Sequence, residues 1–198
     1  MGGTAAVRVV AAAIFQFLHG EFAIPVGLVG RDVMCCAQTG SGKTAAFLFP
    51  VIGRMMKSHD SPVGNLEVPL EGPCQPDTLV LSPTRELCIH IYEDALKFCH
   101  RTPYRVCRVY GGEKPKDQMI EISKGCDVMV ATRGRLQDFI GRCIVEVKSV
   151  YVLVLDEADR MLDMGFEPQI REICEQHEMP AKDNRQTMMF SATFSETC

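Results

Sequence analysis

The sequence predicts an α/β protein with three layers, in which a central, mostly parallel β-sheet is covered by helices on both faces. Two observations support this fold class. Short apolar runs rich in β-branched residues recur along the chain, and most of them are separated by stretches with helical periodicity. Strands that alternate with helices are typical of parallel sheets buried on both faces. In such sheets ligands bind at the carboxyl ends of the strands.

The elements follow one another in a regular order. Six runs are predicted as strands: residues 32–37, 78–83, 104–110, 127–132, 151–156 and 186–193. A helix is predicted to begin near Gly42, and another to span residues 84–100. The second helix places apolar residues on one face, namely Leu87, Ile91, Ala95 and Phe98. Residues 58–77 are rich in Pro, Gly and acids, which predicts a surface loop.

Composition indicates one globular domain that needs no disulfide staples. The chain has 198 residues, of which 46% are hydrophobic and 23% charged. Its net charge of −4 excludes a basic field over the whole protein, so any contact with nucleic acid must be local. The ten cysteines are scattered, which predicts a reducing compartment: the cytoplasm, with the nucleus as an alternative. The Cys88–His90 and Cys99–His100 neighbours match no usual zinc-ligand spacing.

Residues 7–18, "VRVVAAAIFQFL", form the longest apolar run near the start of the chain. The run is too short to span a membrane, because a spanning helix needs about 20 apolar residues. We expect a buried helix that packs on the domain, and a weak signal-peptide core is the alternative. No other run approaches transmembrane length, so we expect no membrane partner.

The stretch "AQTGSGKT", residues 37–44, predicts a phosphate-binding loop. It matches the P-loop pattern at its end but has Ala37 where the simple pattern has Gly. Gly40 and Gly42 allow successive N–H groups to converge on phosphate oxygens. Lys43 can reach the β and γ phosphates, and the Thr44 hydroxyl can bind Mg²⁺. The strand before the stretch and the helix after it disfavour the alternative, a simple turn followed by a lone lysine.

The complete predicted phosphate-binding set is Ala37, Gln38, Thr39, Gly40, Ser41, Gly42, Lys43 and Thr44. A second set of polar residues follows the run "YVLVL", where Asp156, Glu157 and Asp159 fall within four residues. In P-loop NTPases a carboxylate at the end of a second strand holds the Mg²⁺ of the nucleotide. We therefore expect ATP and Mg²⁺, with Asp156 as a metal ligand and Glu157 orienting or deprotonating the attacking water.

These residues carry a resemblance to a known family. Residues 156–159 read "DEAD", and around them stand "PTREL" (83–87), "GG" (111–112), "ATRGRL" (131–136) and "SAT" (191–193). In this order they resemble the motifs of the DEAD-box RNA helicases. The stretches "LDEADRMLDMGFEPQI" (155–170) and "RQTMMFSATF" (185–194) most closely resemble the Vasa-like subfamily. The resemblance runs from Phe22 to Phe194. It implies a RecA-like P-loop NTPase fold over residues 22–198, preceded by a divergent segment, residues 1–21.

The resemblance also implies roles for individual residues. Lys43, Asp156 and Glu157 would be catalytic. The residues that would face RNA are Thr84, Arg85, Gly111, Gly112, Thr132, Gly134 and Arg135. Asp159, Ser191 and Thr193 would couple the nucleotide site to RNA binding. Contacts of this kind read the RNA backbone and its 2′-hydroxyls, so we expect little sequence specificity.

The sequence departs from the family pattern at two positions. Gly20 stands where the family has an adenine-reading Gln, five residues before Pro25, and Arg133 replaces the proline of "TPGR". The missing Gln predicts poor discrimination of adenine. Replacement of the proline removes a fixed φ and adds a positive charge beside the expected RNA path.

The family implies two joined RecA-like domains, whereas this sequence ends five residues after Thr193. We therefore expect it to represent the first domain alone, whose RNA remodelling needs a second helicase domain or a protein partner. The alternative is a non-catalytic solitary module that binds nucleotide, RNA or protein. A P-loop kinase or GTPase is disfavoured, because we find neither a guanine-reading N-K-x-D nor a lid-like arginine cluster.

Overall fold

A computed structural model describes residues 19–36, 42–57 and 71–192 of the chain. The helix expected over residues 7–18 and most of the loop expected over residues 58–77 lie outside these ranges. No helix within the described ranges is long and apolar enough to cross a membrane.

The described residues form six strands, each within one of the six predicted runs. They are β1 (Val33–Cys36), β2 (Thr78–Ser82), β3 (Val106–Val109), β4 (Val128–Thr132), β5 (Val152–Leu155) and β6 (Gln186–Ser191). Seven helices lie between or beside them in the same ranges. They are α1 (His19–Leu28), α2 (Lys43–Met55), α3 (Arg85–Phe98), α4 (Pro115–Ile122), α5 (Arg133–Gly141), α6 (Ala158–Asp163) and α7 (Glu167–Gln176).

The six strands form one sheet in the order β1-β6-β5-β2-β4-β3, and every neighbouring pair is parallel. Successive residues of a strand point to opposite faces of the sheet. Val80 accordingly belongs to one apolar core, together with buried residues of α2 and α3, whereas Leu79 and Leu81 belong to a second core. The second core contains buried residues of α4 to α7. The sheet is therefore the middle of three layers, which confirms the α/β fold class.

Local chemistry explains where the helices begin. The Thr84 hydroxyl accepts the Leu87 N–H at 3.3 Å and so caps α3, as the preference of helix N-termini for Thr predicts. Gly42 precedes α2 with a φ of +83°, a conformation that glycine adopts without strain. Both helices start just beyond the carboxyl end of a strand. Their N-termini therefore lie at the sheet edge where the predicted motifs gather.

Candidate nucleotide and nucleic-acid site

The order of the strands divides the predicted motifs into two neighbouring groups. The motifs expected to bind nucleotide follow β1, β5 and β6, which are adjacent in the sheet. The motifs expected to face RNA follow β2, β3 and β4, which form the other half. All strands run in one direction, so both groups lie at the same edge of the sheet. The pairing of β5 with β2 joins the two halves.

The phosphate loop is described only at its end, because residues 37–41 lie outside the described ranges. Gly42 leaves open space at the position where a side chain would begin. Lys43 is the first residue of α2, and only 7% of it is exposed. Thr44 is half-buried on the first turn of the same helix. The positive end of the α2 dipole and a buried ammonium group therefore face the same region, which favours an anion there.

Asp156 follows β5 directly and is 2% exposed. Its N–H donates to the Leu81 carbonyl at 3.0 Å, and its carboxylate accepts the Glu157 N–H at 3.0 Å. Burial raises the pKa of Asp156 to about 6, although the charge of Lys43 acts in the opposite direction. A buried carboxylate that desolvation disfavours to this extent is suited to a cation as ligand, so this position fits Mg²⁺.

Glu157 has a φ of +52°, in the left-handed region, and precedes the first residue of α6. For a residue other than glycine this conformation costs on the order of 1 kcal/mol, and such strain concentrates at functional sites. The Glu157 carboxylate pairs with the Arg160 guanidinium at 3.1 Å. Sequence reasoning missed Arg160, which holds the Glu157 side chain. The spacing of three residues between an acid at a helix start and a base inside the helix is the signal that could have predicted the pair.

Asp159 joins the start of α6 to the end of β6. Its carboxylate accepts the Ala192 N–H at 3.1 Å and the Arg160 N–H at 2.9 Å. Ser191 is fully buried, and the Cys36 thiol donates to the Ala192 carbonyl at 3.2 Å. The predicted contacts of Asp159 were with Ser191 and Thr193, and the structure has a hydrogen bond between Asp159 and the main chain of Ala192, the residue between them. Thr193 lies outside the described residues.

The motifs expected to face RNA, which follow β2, β3 and β4, come together at the loop after β3. Arg85 donates to the Gly112 carbonyl at 3.3 Å, and Arg135 donates to the Glu113 carbonyl at 3.1 Å. Gly112 has a φ of +82°, and a Cβ atom there would lie 2.8 Å from the Arg85 guanidinium. The backbone conformation favours glycine at this position, and a larger residue would also displace the Arg85 guanidinium.

The remaining predicted residues lie around this loop. Thr132 precedes the first residue of α5, and its side chain makes no capping hydrogen bond. Gly111 and Gly134 leave open space where a side chain would begin. The described part of the chain thus brings Thr84, Arg85, Gly111, Gly112, Thr132, Gly134 and Arg135 to the carboxyl ends of three adjacent strands.

The two departures from the family pattern have distinct positions. Gly20 lies in the first turn of α1, which packs along α2. The Arg133 guanidinium stacks on the Phe166 ring at 3.8 Å from the ring centre, where α6 passes into α7. Its planar face is therefore engaged by the protein itself, and the positive charge stands at the N-terminus of α5.

Comparison with known proteins agrees with the fold and the motifs. A family model described as DEAD/DEAH box helicase matches residues 20–198. Among solved structures, the yeast DEAD-box splicing factor Prp28 is similar to this chain, with 36% sequence identity and a TM-score of 0.71. The match covers 84% of this chain and 37% of the yeast chain. The chain belongs to the DEAD/DEAH box helicase family.

Proposed function

We propose that residues 22–198 form the first RecA-like domain of an ATP-dependent RNA helicase of the Vasa-like subfamily, and that residues 1–21 are a divergent N-terminal segment. One observation carries the proposal. The buried Lys43 at the start of α2 and the buried Asp156 at the end of β5 lie at the same sheet edge as the cluster around Arg85 and Gly112. Nucleotide and RNA would thus bind side by side.

Residues 37–44 would hold the triphosphate, with Lys43 neutralising charge on its β and γ groups. Thr44 and Asp156 would hold Mg²⁺, which when bound offsets charge on the same phosphates. Glu157 would orient or deprotonate the attacking water, and its pairing with Arg160 limits where its carboxylate can reach. Asp159, Ser191 and Thr193 would transmit the state of this site to the RNA-facing half.

The RNA-facing half would bind the sugar-phosphate backbone of a single strand. Arg85 and Arg135 supply positive charge, and the N-termini of α3 and α5 supply free N–H groups. Groups of this kind suit phosphate and ribose oxygens, so binding would be indifferent to sequence. RNA remodelling would require a second helicase domain or a protein partner. We place this activity in the cytoplasm, with the nucleus as an alternative.

A pair of variants tests the nucleotide site. Lys43→Ala removes the buried charge that faces the phosphates, so ATP binding measured by calorimetry should fall below detection. Glu157→Gln keeps the size of the side chain and one acceptor oxygen but removes its charge and basicity, so the affinity for Mg·ATP should stay within about twofold of wild type. RNA-stimulated ATP turnover by Glu157→Gln should nevertheless be lost when a second RecA-like domain is supplied.

Unchanged ATP affinity in Lys43→Ala would overturn the assignment of the phosphate site. Normal turnover by Glu157→Gln would move the catalytic role to another residue. The retention of Lys43, Asp156 and Glu157 together favours an enzyme over a non-catalytic module, because a module that only binds RNA needs none of them.

A further inference from the structure

Four side chains alternate in a stack that leads from the outer part of α3 to the loop after β3. The Arg108 guanidinium lies 5.1 Å from the Tyr92 ring centre and 5.6 Å from that of Tyr110. The Arg85 guanidinium lies 5.0 Å from the Tyr110 ring centre. We call Tyr92, Arg108, Tyr110 and Arg85 the arginine–tyrosine ladder. Only Arg85 belongs to the motifs predicted to face RNA.

Tyr110 is the rigid part of the ladder. It is 1% exposed, and Gln118, itself 1% exposed, bonds to both of its main-chain groups. The Tyr110 N–H donates to Gln118 at 3.1 Å, and Gln118 donates to the Tyr110 carbonyl at 2.9 Å. Burial raises the pKa of the Tyr110 hydroxyl, and the nearby Glu113 carboxylate acts in the same direction. The ring therefore has little freedom to turn or tilt.

The two arginines of the ladder differ in what balances their charge. Arg108 lies 3.9 Å from the Glu113 carboxylate, so part of its charge is offset within the protein. Arg85 donates to the neutral Gly112 carbonyl and lies over Tyr110, and among the described residues it forms no ion pair. Its guanidinium is therefore a cation with spare donors, held at the edge of the RNA-facing cluster.

We propose that Tyr110 is a positioning residue for RNA binding. Its ring, braced by Arg108, holds the Arg85 guanidinium in the orientation in which it meets a phosphate of the bound strand. The proposal rests on the proposed RNA-binding function. An arginine that is already ordered loses less conformational freedom when it binds. A cation–π contact that orders Arg85 should therefore strengthen RNA binding by about fivefold.

The test measures binding of a fluorescent single-stranded oligouridine to the 198-residue chain at low salt, by anisotropy. Tyr110→Leu removes the ring and should weaken binding by about fivefold. Tyr110→Phe keeps the ring and loses only the hydroxyl, so it should bind within about twofold of wild type. Arg85→Ala should weaken binding at least as much as Tyr110→Leu. The double variant should be no weaker than Arg85→Ala, because Tyr110 acts through Arg85.

The outcomes separate this proposal from the function on which it rests. If Arg85→Ala weakens binding and Tyr110→Leu does not, or if the two effects multiply in the double variant, the ladder proposal is overturned and the RNA site stands. If Arg85→Ala binds RNA as wild type does, Arg85 does not contact RNA, and the ladder proposal is overturned with that assignment.

Tyr110 is buried, so thermal unfolding must show that Tyr110→Leu is folded at the assay temperature. If it is not, Arg108→Met decides the question. That change removes the brace but keeps an apolar stem along the ring. Weaker RNA binding at unchanged ATP affinity is expected, and unchanged RNA binding would overturn the bracing role.

Discussion

The Asp156 carboxylate is buried, and its surroundings only partly offset the free-energy cost of burying its charge. It is 2% exposed, its pKa is raised to about 6 by burial, and Lys43 only partly compensates. In the nucleotide-free chain this carboxylate therefore destabilises the fold near neutral pH. A site that binds a cation tolerates such a cost, because the cation relieves it on binding. Stability and proposed function thus oppose each other at this residue.

Asp156→Asn should raise the stability of the chain in the absence of metal and nucleotide. The folded pKa of about 6 lies above the ordinary value of 3.8, so the folded state binds the proton more tightly than the unfolded state. The loss of folding stability caused by ionised Asp156 is absent below pH 3.8, grows as the pH rises to about 6, and is constant above that pH. At pH 7.5 with a chelator, we expect a gain of about 3 kcal/mol, measured by urea unfolding.

The gain should shrink at pH 5, within the window where the wild-type carboxyl takes up its proton. Asp94→Asn is the matched control, because Asp94 lies on the surface and pairs with the exposed Lys97. Its effect should stay within about 0.5 kcal/mol at both pH values. Equal stability of Asp156→Asn and wild type at pH 7.5 would show that Asp156 is better compensated than its surroundings indicate.

At the scale of elements, Gln186 attaches α1 to the sheet. This residue begins β6 and is 3% exposed. Its amide nitrogen donates to the Gly27 carbonyl at 3.1 Å and to the Arg31 carbonyl at 2.6 Å, and its oxygen accepts a hydrogen bond from Arg54. Side-chain bonds thus join the end of α1, the end of α2 and β6.

Gln186→Leu should destabilise the chain by about 2–3 kcal/mol, because it removes the buried donor to the Gly27 and Arg31 carbonyls and the acceptor of Arg54. The change is measured as a shift in the midpoint of urea unfolding. Gln176→Leu is the control, because Gln176 is exposed at the end of α7. It should change the free energy of unfolding by less than about 0.5 kcal/mol. Equal effects of the two substitutions would mean that the attachment of α1 contributes little.

On the scale of the whole molecule, one sheet edge carries both groups of motifs. The nucleotide motifs follow β1, β5 and β6, and the RNA-facing motifs follow β2, β3 and β4. A duplex is separated when RNA is held on two surfaces that move relative to each other, and a single sheet edge provides one rigid surface. The net charge of −4 adds no long-range attraction to RNA.

The 198-residue chain by itself should therefore bind RNA weakly, more weakly as salt rises, and without preference for sequence. It should not separate a short RNA duplex with a single-stranded overhang, even at saturating ATP, as measured by strand displacement. Addition of a second RecA-like domain that carries an arginine for the γ-phosphate should start ATP-dependent displacement. Displacement by the chain alone would contradict this expectation and would favour a dimer in which one copy replaces the second domain.

Local patterns in the sequence determined the elements and the chemistry at their ends. Runs rich in β-branched residues placed all six strands to within two residues at both ends. The pattern "GKT" predicted Lys43 as a phosphate ligand, and the three acids after β5 predicted Asp156 as a metal ligand. Such signals depend only on residues that are neighbours in the sequence, so they can be recognised without a structure.

Only the tertiary structure shows which strands are neighbours and which side chains from distant segments are in contact. The strand order places β5 beside β2 and so unites the two motif groups, but no periodicity encodes it, because pairing joins residues about 70 positions apart. The ladder through Tyr110, the stacking of Arg133 on Phe166 and the bonds of Gln186 to Gly27 and Arg31 also depend on distant segments meeting. These contacts depend on the sheet and helices that the two apolar cores hold in place, since a single residue pair is too weak to order the chain.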